Sequence, residues 1–429
     1  MSAEARTYAD ALHAMYALVP RGIVLGLDPI REALAHWGSP QEKLRAVHVA
    51  GTNGKGSVAA MVDAGLRASG RRVGLYTSPH LHRFAERIRV DGESADDATL
   101  TRAAWRVLDA VRREEIPALT FFEAATMVAW DVFAASGLDL AVLEVGLGGR
   151  LDATNVCSPV VTAITRIARD HEARLGESLA EIAGEKAGIL KPGVACVLGA
   201  GLREGEARRA IELAAGRVGA TLCEAPAARV LSMDGRLRAR AEVDAAGGSL
   251  TLDLALAGGF QVENAAIAVA VLERLGVSHA HIAAGLGTVV WPARLERIEN
   301  VLFDVAHNPD GADALAASIE RLGVARDRTA LVFGASSDKD WRAMLDRLGP
   351  LFAPSRRFFG AALLRRAESP SVLAAHAGGQ PSASVRDALD AARASVGGEG
   401  LVVVCGSIFA VAEARAGLLG LASDPPVPM

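Results

Sequence analysis

Short apolar runs alternate with amphipathic stretches along most of this 429-residue chain, and this alternation constrains its fold most strongly. The runs Arg45–Ala50, Val73–Tyr76 and 139–145 have the length and composition of buried strands. Residues 57–69 and 122–135 instead have helical spacing. Strands that alternate with helices form βαβ units, and such units build parallel sheets. The sequence therefore predicts an α/β fold with a parallel sheet.

The alternation is interrupted twice. Between residues 230 and 256, short alternating segments separated by Asp234-Gly235 and Gly247-Gly248 indicate antiparallel hairpins. The segment Trp291-Pro-Ala-Arg294 is typical of a linker, and strands and helices alternate again after it. We therefore expect a large N-terminal α/β domain over residues 1–292 and a smaller α/β domain over residues 293–429.

Composition excludes several classes of protein. Apolar residues make up 51% of the chain and charged residues 22%, which is typical of a globular protein. A net charge of −4 without a long basic run argues against nucleic acid or membrane partners. Neither a signal peptide nor a membrane-spanning run is recognisable. The four scattered cysteines fit no disulfide framework, so we expect a cytoplasmic protein.

A glycine-rich segment follows the first predicted strand and precedes a helix. Residues 50–57 read Ala-Gly-Thr-Asn-Gly-Lys-Gly-Ser. Glycines let backbone N–H groups approach phosphate oxygens, and the helix start adds a positive dipole. The strict phosphate-loop pattern places Ser directly after Lys, whereas here Gly56 separates Lys55 from Ser57. The segment is either a variant phosphate loop or an ordinary turn between a strand and a helix.

Lysine is scarce in this chain. Of the 46 basic side chains, 41 are arginine and five are lysine, namely Lys43, Lys55, Lys186, Lys191 and Lys339. Arginine cannot replace lysine where a compact ammonium or a reactive primary amine is needed. Lys55 lies in the phosphate-loop segment. Lys186 lies inside a predicted helix, where pairing with a neighbouring glutamate is the alternative interpretation.

Further motifs follow in a fixed order along the chain. They are Leu25-Gly-Leu27, Gly51-Thr-Asn-Gly-Lys-Gly-Ser57, Tyr76-Thr-Ser-Pro-His-Leu81, Glu86-Arg-Ile-Arg-Val90, Thr120-Phe-Phe-Glu123, Leu143-Glu-Val-Gly-Leu-Gly-Gly-Arg-Leu-Asp-Ala-Thr-Asn155, Glu185-Lys-Ala-Gly-Ile189, Phe303-Asp-Val-Ala-His-Asn-Pro309, Asp338-Lys-Asp340 and Cys405-Gly-Ser407. Together they resemble the folylpolyglutamate synthase/dihydrofolate synthase family of Mur-type ligases. The resemblance implies a P-loop Mur-ligase-type domain followed by a smaller Rossmann-like α/β domain, with the active site in the cleft between them.

The resemblance also implies a reaction. The family joins the carboxylate of an acid to the amine of an amino acid, and ATP first converts the carboxylate to an acyl phosphate. The implied substrates are ATP, L-glutamate, 7,8-dihydropteroate and reduced folates, which makes the chain a bifunctional ligase. The alternative within the family is a monofunctional folylpolyglutamate synthase. Family members suggest a monomer.

The family motifs assign residues to ATP and metal. Implied catalytic residues are Lys55, Glu144, His171 and Lys186, of which Lys186 would be carbamylated by CO₂. Implied ATP contacts are Asn53, Gly54, Lys55, Gly56, Ser57, Asn264, Arg294 and Asp304. Implied ligands of Mg²⁺, with two ions expected, are Ser57, Ser78, Glu144 and His171. A carboxylate such as Glu144 at a strand end suits this hard cation.

The motifs also assign residues to the other two substrates. Implied contacts to the pterin or folate are Leu25, Gly26, Thr120, Phe121, Phe122, Glu123 and Asp152. Implied contacts to glutamate are His307 and Ser407. The chain departs from the usual family pattern at two positions, since Glu172 follows His171 where threonine is usual and Ala293 precedes Arg294 where glycine is usual. The second departure is expected to shift the linker backbone slightly.

Three other interpretations remain at this stage. A Mur-type ligase for a UDP-sugar peptide would usually need an extra N-terminal domain, and the phosphate loop begins too early for one. A P-loop ATPase switch would hydrolyse ATP without depending on glutamate and a pterin acid. A non-catalytic relative is disfavoured because Lys55, Glu144, His171 and Lys186 are all present.

Overall fold

The computed structural model describes residues 6–19, 26–364 and 366–427. In these residues the helices are α1 Tyr8–Tyr16, α2 Asp28–His36, α3 Pro40–Lys43, α4 Lys55–Ala68, α5 Asp97–Arg112, α6 Phe121–Ala135, α7 Glu172–Leu175, α8 Leu179–Lys186, α9 Gly205–Val218, α10 Phe260–Arg274, α11 His279–Leu286, α12 Pro309–Leu322, α13 Trp341–Leu348, α14 Pro370–Ala377, α15 Val385–Val396 and α16 Ile408–Leu419. The strands are β1 Arg45–Ala50, β2 Val73–Tyr76, β3 Ile88–Val90, β4 Glu93–Ser94, β5 Leu140–Glu144, β6 Ser158–Ile164, β7 Ala195–Leu198, β8 Thr221–Glu224, β9 Ala228–Met233, β10 Arg238–Ala245, β11 Gly248–Ala257, β12 Glu296–Ile298, β13 Val301–Phe303, β14 Thr329–Phe333, β15 Arg357–Phe359, β16 Gln380–Pro381 and β17 Leu401–Cys405. Among them, no helix is long and apolar enough to cross a membrane.

The largest sheet has the strand order β4-β3-β2-β5-β1-β6-β7-β8. Its strands β2, β5, β1, β6, β7 and β8 are parallel, whereas β3 and β4 form an antiparallel edge. Val49 in β1 lies opposite Glu144 in β5 and Ala163 in β6. The carboxyl ends of these central strands therefore meet at one edge, where ligand sites of parallel sheets gather.

Both faces of this sheet are covered, as expected for a parallel sheet with continuously apolar strands. Val47 and Val49 point into a core shared with α4, α10, α11 and the strands β10 and β11. Ala46 and Leu143 point to the opposite face, where α1, α2, α5 and α6 pack. The central strands are consequently held between two helical layers.

The hairpins predicted near residues 230–256 form a separate antiparallel sheet, β9-β10-β11. One face of β10 and β11 is buried, with Ala241, Val243, Leu252 and Leu254 in the same core as α10. This follows from the alternation of apolar and polar residues in both strands.

The chain then enters a third sheet with the order β12-β13-β17-β14-β15-β16. All neighbours in it are parallel except β12 and β13. Helices α12, α13 and α14 pack on one face and α15 and α16 on the other. The predicted α/β class and the parallel character of the main sheet are confirmed.

Candidate active site

The phosphate-loop segment leaves β1 and enters α4 through a backbone that requires glycine. Gly54 has φ +88° and stands directly before α4. A Cβ atom on Gly51 would lie 1.9 Å from Thr165 Oγ1, and one on Gly54 would lie 2.5 Å from Asn264 Oδ1. Only glycine is compatible with such left-handed torsions and close approaches. The loop therefore presents backbone N–H groups at a helix start.

Hydrogen bonds hold the side chains at this loop in place. Lys55 Nζ donates to the carbonyl oxygen of Thr52 at 3.1 Å. Ser57 Oγ accepts a hydrogen bond from Gln261 Nε2 at 3.3 Å. Asn264 packs beside Gly54 and donates to Gln261 Oε1 at 2.8 Å. The lysine, the hydroxyl and the amide predicted to contact ATP therefore surround one helix start.

Glu144 ends β5 beside the phosphate loop and is 6% exposed. Its Oε2 accepts a hydrogen bond from the backbone N–H of Ser78 at 3.1 Å. Burial raises the pKa of Glu144, and the nearby Lys55 ammonium partly opposes this. Within the described part of the chain, no group of three His, Cys, Asp or Glu side chains could hold a metal ion by itself. Mg²⁺ characteristically uses one or two protein carboxylates, waters and substrate phosphates.

His171 lies at a contact between the large sheet and the third sheet. Its Nε2 is 3.2 Å from Lys339 Nζ, and its φ of +55° is left-handed. Desolvation in the cleft lowers the pKa of His171 to about 4; the charge of Asp170 opposes this shift, and the Lys339 ammonium adds to it. The imidazole is therefore neutral near pH 7 and able to act as a ligand.

Asp170 binds three side chains of this contact. Lys339 Nζ lies 2.5 Å from Asp170 Oδ1, and His307 Nε2 lies 3.3 Å from Oδ2. Burial raises the pKa of Asp170, but the hydrogen bond and charge of His307 and the Lys339 ammonium outweigh it and hold the pKa well below its usual range. Asn308 Nδ2 also donates to Asp170 at 3.1 Å. Asp170 is therefore ionised and ties both sheets together.

The phosphate loop takes part in the same contact. Asn53 Nδ2 donates to Asp310 Oδ2 at 2.7 Å and to Asn308 Oδ1 at 3.1 Å. Asn308 Nδ2 donates back to Asn53 Oδ1 at 3.0 Å. Because Asn308 and Asp310 begin α12, the third sheet touches the nucleotide loop directly.

Lys186 ends α8 and is 4% exposed. Its Nζ donates to the carbonyl oxygen of Gly51 at 2.9 Å. Desolvation, followed by the charge of Lys55, lowers the pKa of Lys186 to about 7. A surface ion pair with a neighbouring glutamate is thus not its environment, and Glu185 pairs with Arg150 instead.

Aromatic side chains line the opposite end of the cleft. Phe121 packs edge-on against Tyr16 with ring centroids 5.6 Å apart, and Phe122 lies 6.2 Å from Tyr76. Thr120 and Glu123 bond each other in a capping box, where Thr120 Oγ1 donates to Glu123 Oε2 at 2.7 Å. Thr120 and Glu123 therefore cap the N-terminus of α6. Their contact with substrate stays a prediction.

Asp152 is buried, and both it and Phe122 lie next to Gly146. It accepts hydrogen bonds from the backbone N–H groups of Leu147, at 2.8 Å, and Thr154, at 3.0 Å. Burial raises the pKa of Asp152. The Thr154 hydroxyl donates to Asp152 and lies 2.8 Å from Nε2 of the fully buried His48. Burial lowers the pKa of His48 to about 3, so a neutral imidazole supports this network.

Arg87 brings a buried cation to the aromatic end. Its Nε donates to His80 Nδ1 at 2.8 Å, and its guanidinium carbon lies 5.4 Å from the centroid of the Phe121 ring. Arg87 is 4% exposed, and among the described residues no carboxylate forms an ion pair with it. Burial lowers the pKa of Arg87, as expected for a guanidinium that is shielded from water. The site thus suits an anionic ligand.

Two predicted ATP contacts lie at the linker, Arg294 before β12 and Asp304 directly after β13. Arg294 Nη1 donates to the carbonyl oxygen of Ala293, at 3.0 Å. Ala293 has φ +57°, a left-handed torsion that is unfavourable with a Cβ atom. Asp304 accepts hydrogen bonds from the backbone N–H groups of Leu295 and Ala306, at 2.9 and 3.0 Å, and burial raises its pKa. Asp304 therefore fixes the linker against β13.

One cavity of about 1270 Å³ unites these groups. It is lined by every predicted site residue that the structure describes, namely Gly26, Asn53, Gly54, Lys55, Gly56, Ser57, Ser78, Thr120, Phe121, Phe122, Glu123, Glu144, Asp152, His171, Lys186, Asn264, Arg294, Asp304, His307 and Ser407. Leu25, also predicted, lies outside the described residues. Sequence reasoning missed Asp170 and Val427, and it left Arg87 and Lys339 without a role, although all four line the cavity.

Sequence comparisons relate this chain to known proteins. The family described as Mur ligase, glutamate ligase domain, matches residues 293–408. A probable bifunctional folylpolyglutamate synthase/dihydropteroate synthase of Haloferax volcanii is 37% identical over 95% of this chain and 50% of its own length. The chain thus spans about half the length of the first curated relatives it matches. The dihydrofolate synthase/folylpolyglutamate synthase of Escherichia coli is 34% identical over 95% of this chain and 93% of the relative.

Solved structures agree with these sequence matches. Escherichia coli FolC, in complex with DHPP and ADP, superposes with a TM-score of 0.87 at 33% identity and covers 97% of this chain and 98% of its own. A bifunctional folylpolyglutamate synthase/dihydrofolate synthase with Mn, AMPPNP and L-glutamate bound has a TM-score of 0.83 at 32% identity, covering 97% and 99%. The family predicted from the ordered motifs is confirmed, and the chain belongs to the folylpolyglutamate synthase/dihydrofolate synthase family of Mur-type ligases.

Proposed function

We propose that this protein is an ATP-dependent ligase that joins L-glutamate to 7,8-dihydropteroate and to reduced folates through an acyl phosphate. The observation that carries the proposal is the single cavity, which combines a phosphate loop with an aromatic wall and a buried guanidinium. The molecules bound in the solved relatives, which include ADP, DHPP and L-glutamate, support it.

At the phosphate end, residues 51–57 would hold ATP by backbone N–H groups and the start of α4. Lys55 would neutralise charge on the transferred phosphoryl group, as phosphoryl transfer requires. Asn264 would contact the base, and Arg294 and Asp304 would contact ATP from the linker side. Their common cavity supports these roles.

A divalent metal fits the same end. Glu144 is a buried carboxylate that, among the described residues, receives only a backbone hydrogen bond and pairs with no cation within 4 Å. With Ser57, Ser78 and His171, it would hold Mg²⁺, and we propose two ions. When bound, the metal supplies positive charge to the phosphoryl oxygens. Manganese in a solved relative supports the use of a divalent metal.

Lys186 is proposed to be carbamylated. The ammonium first loses one proton to water, and the neutral amine then attacks the carbon of CO₂. A C–N bond forms while one C=O π electron pair moves onto oxygen, and a second proton leaves the nitrogen. With both protons released to solvent, the cationic side chain becomes an anionic carbamate. The reaction requires an unprotonated primary amine, and desolvation at this position favours that form. The resulting carboxylate-like group would support the metal next to Gly51.

At the aromatic end, Phe121, Phe122 and Asp152 would hold the pterin, with Gly26, Leu25, Thr120 and Glu123 around it. Arg87 would face the carboxylate that becomes phosphorylated. No carboxylate among the described residues forms an ion pair with this buried guanidinium, so the carboxylate of the bound substrate would be its partner. His307 and Ser407 would hold the incoming glutamate. Closing the two halves would keep water from the acyl phosphate.

The proposal also covers the domain organisation, the oligomeric state and the cellular location of the protein. The protein would consist of a P-loop domain over residues 1–292 and a Rossmann-like ligase domain over residues 293–429, and it would act as a monomer. Four free thiols, three of them buried, support a cytoplasmic location. A monofunctional folylpolyglutamate synthase is the closest alternative, and another Mur-type amide ligase is a more distant one.

Phosphate release from ATP tests the proposal. The assay contains Mg²⁺ and L-glutamate, with dihydropteroate in one arm and reduced folates in the other. We expect both acids to stimulate release and to yield glutamylated products. Stimulation by folates alone would establish the monofunctional alternative, whereas stimulation by neither acid would reject the proposal.

A further inference from the structure

A segment that follows α16 crosses from the third sheet to the side of the large sheet. In this 421–427 segment, the backbone N–H of Asp424 donates to the carbonyl oxygen of His82 at 2.8 Å. Asp424 Oδ2 accepts hydrogen bonds from Tyr8 Oη, at 2.8 Å, and from the backbone N–H of Phe84, at 2.7 Å. One carboxylate thereby ties the segment to α1 and to the turn before β3.

The attachment is reinforced by charge. Arg83 Nε lies 3.7 Å from Asp424 Oδ1. Burial, followed by the hydrogen bond to Asp424, raises the pKa of Tyr8, so the phenol stays a donor at neutral pH. Arg415, on α16 itself, adds a contact to His82 Nε2 at 2.9 Å. The segment is therefore anchored at defined points on the opposite half.

Beyond Asp424, two prolines precede a buried valine. Pro425 and Pro426 restrict the backbone, and three residues span at most about 10 Å. Val427 is 3% exposed and belongs to the apolar cluster that contains Tyr16 and Phe84. It also lines the large cavity, on whose wall Phe121 and Phe122 lie.

We propose that residues 424–427 form one wall of the pterin pocket, with Val427 touching the aromatic part of dihydropteroate or folate and Asp424 acting as a positioning residue. This inference rests on the proposed function and adds a substrate contact that comes from the third-sheet half of the chain. The pterin pocket is then complete only when this segment is seated on Phe84 and Tyr8.

The location of this wall predicts that it affects binding of the pterin but not binding of the nucleotide. Val427 shares an apolar cluster with the aromatic end, whereas the phosphate loop and Lys55 belong to the other end of the cavity. Loss of the valine side chain should weaken binding of the flat aromatic ligand and leave nucleotide binding intact. A general loosening of the fold would weaken both.

Equilibrium binding to the full chain tests the inference without requiring turnover. Dissociation constants for dihydropteroate and for ADP are measured by tryptophan fluorescence for wild type, Val427→Ala, Asp424→Asn and the control Leu421→Ala, whose side chain is 42% exposed. We expect the constant for dihydropteroate to rise about tenfold in the first two variants, a loss of about 1.4 kcal/mol. The ADP constant should change less than twofold, and the control should match wild type.

Two results would overturn the inference. One is an unchanged dihydropteroate constant in both Val427→Ala and Asp424→Asn. The other is an equal rise for dihydropteroate and ADP, which indicates a structural effect only. Binding of dihydropteroate without ligation would instead count against the proposed function alone, so the two failures are distinguishable.

Discussion

The two ends of the cavity are built in different ways. The phosphate end consists of one continuous loop, residues 51–57, and of strand ends that meet at one edge of the sheet. The aromatic end is assembled from α1, the turn before β3, the start of α6 and the 421–427 segment. The groups proposed to bind phosphate therefore come largely from one short stretch of sequence. The groups proposed to bind the flat pterin come from elements that are far apart in the sequence.

We expect the largest difference between the two ends from Lys186→Ala, which should impair turnover but not pterin binding. Loss of a charged group that supports the metal should lower kcat by roughly 100- to 1000-fold with little change in dihydropteroate binding. Because the proposed carbamate is carboxylate-like, a small added carboxylate should restore part of the activity. Steady-state kinetics with and without acetate measure both effects.

A matched control is Lys43→Ala, because Lys43 is an exposed lysine whose loss should leave activity unchanged. Incubation with ¹³C-labelled CO₂ should give a carbamate signal in the NMR spectrum of wild type that is absent from Lys186→Ala. Wild-type activity in Lys186→Ala would remove the carbamate from the account.

The next effect is expected from Lys55→Arg at the phosphate loop. A guanidinium is larger than an ammonium and does not act as a point charge, so the bond to Thr52 and the fit to phosphate should both be lost. We expect kcat to fall by about 100-fold, with the dissociation constant for dihydropteroate unchanged. Near-normal turnover in this variant would contradict the role of Lys55.

Arg87 lies between the two ends, and Arg87→Gln should impair use of dihydropteroate without affecting binding of ADP. Removing a cation that binds the substrate carboxylate should reduce kcat/KM for dihydropteroate by about 10- to 100-fold, as for hydrogen bonds to charged groups. The dissociation constant for ADP should stay within twofold. If kcat/KM is unaffected, Arg87 only packs against Phe121 and has no contact with the acid.

The smallest effect concerns stability and pH. His48 has a pKa of about 3 in the folded chain, against about 6.5 when unfolded. The unfolded state therefore binds a proton below pH 6.5 that the folded state does not, so this contribution to stability is present above pH 6.5 and lost as pH falls toward 3.

His48→Gln keeps a donor toward Thr154 but cannot titrate. The variant should be less stable than wild type at pH 7.5, and the gap should narrow by about 1 kcal/mol at pH 5.5. Guanidinium unfolding at the two pH values measures this change. A gap that is independent of pH would show that His48 is not a buried neutral imidazole.

Much of the phosphate end could be predicted because its signals are local. The bounds of β1 and β2 match the predicted apolar runs, and the glycine pattern identifies the loop between β1 and α4. The helix begins at Lys55 rather than at Ser57, because Gly54 alone provides the left-handed turn that starts it. Local spacing is thus sufficient where backbone geometry dictates the residue type.

The aromatic end was harder to predict because its contacts join distant residues. Asp424 bonds Tyr8 across 416 positions and Phe84 across 340, and no local pattern signals either contact. Lys339 could not be assigned a role before its partner Asp170, 169 positions away, was known. Thr120 and Glu123 carry the signature of a capping box, which could have been read directly from the sequence.

The central claim is that both ends of the cavity act on one carboxylate through an acyl phosphate. Dihydropteroate labelled with oxygen-18 in its carboxylate tests it most directly, with ATP, Mg²⁺ and L-glutamate present. The account predicts that one labelled oxygen is transferred from the acid to the inorganic phosphate released. Phosphate without label, released alongside glutamylated product, would contradict the account.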